Sequence, residues 1–80
     1  MIKIRILPGD FGTYISKSGS WDEKKPDLNS FEVDVAALPA AGAAIVFTDS
    51  EDVQYIGTVQ QVVLVGASLI YVFIPSPMVM

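Results

Sequence analysis

The sequence predicts an all-β, or mainly β, domain: a small barrel or barrel-like sandwich of five to six strands. Three observations lead there. Apolar and polar residues alternate in Met1–Leu7 and again in Phe31–Val35, the period of a half-buried strand. The stretch from Leu38 to Pro75 carries three apolar segments, Ile45-Val46-Phe47, Val53 to Val65 and Leu69 to Ile74, rich in Val and Ile. Turn-forming residues separate these runs at the spacing of short strands joined by tight connections.

In chain order, Met1 to Leu7 forms the first strand, with Ile2, Ile4 and Ile6 on one side and Lys3 and Arg5 on the other. Pro8-Gly9-Asp10 has the chemistry of a tight turn, and Phe11 to Ser16, containing Thr13, Tyr14 and Ile15, is expected to pair back as a second strand. Lys17 to Ser30 is polar and punctuated by Gly19, Pro26 and Asn29, a long loop. Within it Ser20-Trp21-Asp22-Glu23 fits the capping-box pattern, so one short helical turn near 21–25 is the alternative. Phe31 to Val35 is a strand with one acidic, wet face. Ala36 to Ala44 is divided by Pro39 and Gly42 and reads as a connection.

Thr48 to Asp52 is a polar turn. In the run that follows, Val53, Tyr55, Gly57 and Val59 share one face, but beyond Gln60-Gln61 the apolar residues become consecutive, which predicts a bulge or sharp bend near Gln60. Gly66-Ala67-Ser68 closes a hairpin into Leu69 to Ile74, whose two apolar faces predict a strand covered on both sides. The tail Pro75 to Met80 is either frayed, the simpler reading, or adds to the sheet edge of a partner or sister subunit. Val53 to Ile74 is uncharged and long enough to span a bilayer, but its three glutamines and the break at Gly66 favour strands over a membrane helix.

Composition narrows the function classes. Eighty residues make one domain, with 51% hydrophobic and 18% charged residues. That is more apolar surface than so small a core absorbs, so part of it is expected at the surface as a contact area. The absence of Cys and His removes disulfides, thiolate chemistry and the commonest proton-transfer residue. All five cations lie at or before Lys25 and the net charge is −4, which argues against direct nucleic-acid binding. The start of the chain lacks the apolar run of a secretory signal, and a cytoplasmic protein is expected, with no membrane association.

Leu38-Pro39-x-x-Gly42, followed by Ile45-Val46-Phe47, Tyr55-Ile56-Gly57-Thr58-Val59 and Ile70-Tyr71-Val72-Phe73, resembles small SH3-like barrels encoded by phages and other mobile elements. Ala43 departs from that pattern, in which an acidic residue often follows the glycine, and so does Gln60-Gln61. The resemblance covers about half the chain and implies a non-enzymatic accessory protein, without transferring any functional residue.

No constellation points to catalysis or to a cofactor. Asp49, Glu51 and Asp52 resemble calcium-loop carboxylates, but they lack the glycine and distant glutamate of such loops, and a solvated turn is the simpler reading. Asp22 with Glu23, or Glu32 with Asp34, would need burial to act as an acid and base pair, and the seven serines have no histidine to activate them. Gly9-x-x-Gly12 lacks the lysine and following helix of a phosphate loop. The expected function is a non-enzymatic protein-binding module, such as a phage or mobile-element accessory protein or an anti-CRISPR-like inhibitor of a host defence complex. Its contact residues are expected among Tyr14, Trp21, Asp22, Glu23, Asp49, Glu51 and Asp52, with Trp21 as either a contact or a lid on the core. The partner is another protein, such as a host complex. The alternative is a homo-oligomer, a self-assembling structural subunit of a phage particle.

Overall fold

The computed structural model describes residues 1–18, 30–66 and 69–80. The predicted helical turn at 21–25, with Trp21, lies outside them. Seven strands and one helix occur among the described residues: β1 (Ile2–Pro8), α1 (Phe11–Ser18), β2 (Phe31–Val35), β3 (Ala44–Thr48), β4 (Gln54–Thr58), β5 (Gln61–Val65), β6 (Leu69–Ile74) and β7 (Met78–Val79). They form two sheets, β2-β1-β6-β5 and β3-β4-β7, and neither closes on itself.

The alternation in β1 and β2 sets the packing. Ile2, Ile4 and Ile6 stand opposite Val35, Val33 and Phe31 on the inner face, while Lys3 and Arg5 stand opposite Asp34 and Glu32 on the outer face. The inner face packs on the three-stranded sheet, where Ile4, Ile6, Val72 and Ile74 form a core with Phe47 and Val59. The outer face is covered at one end by α1. Leu7, Tyr71 and Phe73 are buried there, with Phe11, Tyr14 and Val63 packed against them. Strand β6 therefore buries consecutive residues, Tyr71 to Ile74, as the sequence predicts for a strand covered on both sides.

Phe11 to Ser16 is not the second strand. It forms α1, and β1 pairs with β2 antiparallel and with β6 parallel instead. Thr13, Tyr14 and Ile15 favour a strand, but the start of the helix is fixed from outside that run. The Asp10 carboxylate accepts the N–H of Thr13 at 3.1 Å, an N-cap bond, and the Gln60 side-chain oxygen accepts the N–H of Phe11 at 2.8 Å. The Gln60 amide in turn donates to the Asp10 carboxylate. Phe11 and Tyr14, three residues apart, then meet Phe73 with ring centroids at 5.0 and 5.7 Å. A helix thus does start here, at Phe11 within the Gly9-x-x-Gly12 stretch. Its first amide groups are already engaged by Asp10 and Gln60, which leaves no phosphate cradle.

The predicted discontinuity at Gln60 is a bend rather than a bulge. Val59 donates its N–H to Ala43 beside the three-stranded sheet, whereas Gln60 donates to Phe73 in the four-stranded one, so the chain changes sheets between these two residues. Pairing advances in step on both sides of the bend: Tyr55 with Val79 and Ile56 with Met78, then Gln61 with Phe73 and Val62 with Val72. One antiparallel ribbon thus runs through both sheets, as β4–β5 against β6–β7. This register places the tail. Met78 and Val79 are not frayed but pair with β4, and Met80 donates its N–H to Gln54 at 2.8 Å.

Candidate functional site

Part of the surplus apolar surface lies on the outer face of the three-stranded sheet. Inward positions of β3 and β4 hold Ile45, Phe47 and Tyr55, so Val46 and Ile56 point outward. Val46 pairs with Ile56 and Ile56 with Met78, which makes a cross-strand apolar row over all three strands. Val46 is 53% exposed and Met78 68%. The other outward residues of β3 and β4 are Ala44, Thr48, Gln54 and Thr58, so these two strands offer a face without charge.

At one end of this face lies the β3–β4 turn, which holds the predicted Asp49, Glu51 and Asp52. Asp49 closes it from inside. One carboxylate oxygen accepts the N–H groups of Glu51 at 2.8 Å and Val53 at 3.0 Å, and the other accepts the Tyr55 hydroxyl at 3.0 Å. The bond from Val53 is the largest influence holding the Asp49 carboxyl below its ordinary range, followed by desolvation, which opposes it, and then the bonds from Glu51 and Tyr55. The same contact holds the Tyr55 hydroxyl above its ordinary range, with desolvation and the charges of Asp49 and Glu51 adding to it. Asp52 adopts φ 62°, a left-handed conformation that Asp tolerates in turns. Glu51 and Asp52 are exposed, and no group of three or more Asp and Glu among the described residues could hold a metal ion.

These bonds give stability a defined pH dependence. Asp49, lowered from 3.8 in the folded chain, contributes stability that is complete above that value and is lost as pH falls through the folded pKa. Tyr55, raised from 10.0, contributes stability that is complete below that value and is lost as pH rises through its folded pKa. Urea midpoints measured across the pH range are expected to fall at both ends. The acid fall should shrink in Asp49→Asn and the alkaline fall in Tyr55→Phe; unchanged limbs would contradict the assignment.

Tyr14 lies on α1, half-buried against Phe73, on the opposite side of the four-stranded sheet from β3–β4–β7. Trp21, Asp22 and Glu23 lie outside the described residues. The structure therefore joins Asp49, Glu51 and Asp52 in one turn and does not bring Tyr14 to it. The row Val46, Ile56 and Met78 was not singled out by residue type, although Val46 and Ile56, each next to an inward aromatic, Phe47 and Tyr55, carry the signal by alternation.

No protein-family model, no curated protein and no solved structure matches this chain. Its surfaces must speak for its function.

A second feature lies where the sheets part. β2 and β3 are edge strands, and the residues facing each other across the gap between them are Glu32 to Val35 and Ile45 to Thr48. They line a groove of about 310 Å³, continued by one of about 260 Å³ at Ser30 to Glu32 and Thr48 to Ser50. Phe31 bridges the two strands, with its ring 5.6 Å from Phe47 and 5.3 Å from Tyr55.

Proposed function

We propose that the protein is a non-catalytic binding module that acts by covering part of another protein, as an accessory or inhibitory factor would. The observation that carries this reading is the exposed row Val46–Ile56–Met78 on a face without charge, bordered by the acidic turn at Glu51 and Asp52. Such a patch with a polar rim is the anatomy of a protein contact. The acidic rim favours a partner with basic residues around an apolar centre.

A relationship to small SH3-like barrels is part of the proposal. It is supported by the turn at Pro39 to Gly42, where Ala43 donates to Ala40, and by a strand order in which the bent ribbon links both sheets and, among the described strands, the β2–β3 step stays unpaired. A phage or mobile-element origin and a host defence complex as target follow from that relationship and stand or fall with it.

The test is capture of partners from an extract of the native host by the wild-type chain and by Met78→Glu. At an exposed site this substitution is expected to leave stability within about 0.5 kcal/mol. Loss of a wild-type partner in a variant that melts normally supports the reading, whereas a retained partner, or none with the wild type, counts against it. Self-assembly is the second reading, because a face without charge can stack on its own copy. Light scattering on the eluted peak separates the two: a defined oligomer that Met78→Glu dissociates would favour the structural subunit.

A further inference from the structure

We infer that the groove between β2 and β3 receives an extended segment of the partner, one that alternates cationic and apolar side chains and adds as a strand to the free edge of β2. The inference rests on the protein-binding reading above and gives it a site and a partner chemistry. An edge strand presents unpaired N–H and C=O groups that template another strand, and proteins usually blunt such edges. Here β2 has β1 on one side, and no described strand pairs with its other side. Its backbone along Glu32 to Val35 lines the groove instead.

The side chains of β2 dictate what would pair there. On its occupied edge, β1 sets Lys3 and Arg5 opposite Asp34 and Glu32, and isoleucines opposite Val35, Val33 and Phe31. Lys3 lies 3.4 Å from Glu32 and 3.9 Å from Asp34, and Arg5 lies 3.3 Å from Glu32. A strand on the free edge meets the same alternation. Its outward residues would flank Glu32 and Asp34, and its inward residues would flank Phe31, Val33 and Val35. A carboxylate offers about four lone-pair sites, so Glu32, already flanked by Lys3 and Arg5, and Asp34, flanked by Lys3, can each accept a further cation. Among the described residues, every charged one lining the groove is acidic: Glu32, Asp34 and Asp49.

The same pattern disfavours a second copy of this chain. An antiparallel β2–β2 pair centred on Val33 would set Glu32 of each copy opposite Asp34 of the other, and like charges directly opposite destabilise a pair.

The experiment uses the whole chain and a fluorescein-labelled ten-residue peptide alternating lysine with valine and threonine. A second peptide of the same composition has its lysines in one block. Saturable binding of the alternating peptide is expected, weakened about tenfold by Glu32→Gln with Asp34→Asn and by moderate salt. This double variant removes only exposed ion pairs, so its melting should hardly move. Hydrogen exchange should slow along residues 31–35 on binding. Equal binding of the two peptides, no binding, or a dimer of the chain that the peptide fails to displace would each overturn the inference. If host-partner capture survives the double variant but is lost in Met78→Glu, the groove assignment fails and the protein-binding reading stands. If neither variant changes capture, both fail.

Discussion

Gly57→Ala is expected to destabilise the protein by about 3 kcal/mol, at the upper end of overpacking substitutions. A Cβ at Gly57 would collide with Cγ2 of Ile74 and lie 3.5 Å from both its Cβ and its Cδ1. Ile74 cannot easily yield, because it is fully buried in β6, is β-branched, and belongs to the core shared by the two sheets. Gly57 thus lets β4 pass close against Ile74 of the four-stranded sheet, just before the ribbon bends. For a domain of this size the loss corresponds to a fall of roughly 12–24 °C in melting temperature. Adding Ile74→Ala removes the clashing methyl, so the double variant should lose less than the two single losses combined. Additive losses would show that the two residues are not in contact.

Phe73→Ala is expected to cost about 3–5 kcal/mol, a large share of the stability of a small domain. Phe73 is 1% exposed and lies on the face of β6 away from Gly57, under the rings of Phe11 and Tyr14. Its removal takes the floor from beneath α1. Circular dichroism and a urea titration should show weakened helix signal together with the lower midpoint. A midpoint within about 1 kcal/mol of the wild type would mean that the helix does not pack there. Because the two residues lie in different layers, this loss and that of Gly57→Ala should add.

These two sites show what could be read in the sequence and what could not. The strands at β1, β2 and β6 were legible because their alternation, or its absence in β6, reports directly how many faces are covered. The bend was legible too, since the change from alternating to consecutive apolar residues at Gln60 reflects a change of sheet. Helix α1 was not legible. Its residues favour a strand, and its start depends on Gln60, 49 residues away from Phe11. The pairing of Met78 and Val79 was hidden for a similar reason, because two prolines flank Ser76 and only the register of the whole ribbon carries the tail onto β4.

The candidate site divides in the same way. Acidic residues at 49–52 were visible as a turn, but residue type alone did not separate Asp49, whose carboxylate is engaged within the loop, from exposed Glu51 and Asp52. The apolar row over β3, β4 and β7 needs the cross-strand register to be seen at all. The groove needs more still, since it arises from two edges that face each other without pairing.

Both the open form of the two sheets and the groove depend on that unpaired step between β2 and β3. Cross-strand nuclear Overhauser effects between backbone protons test it directly in the free protein. They are expected between 2–6 and 31–35, between 44–48 and 54–58, and between 55–56 and 78–79, with none between 31–35 and 44–48. A ladder of such contacts joining 31–35 to 44–48 would close the sheets into a barrel, fill the groove and contradict the open form.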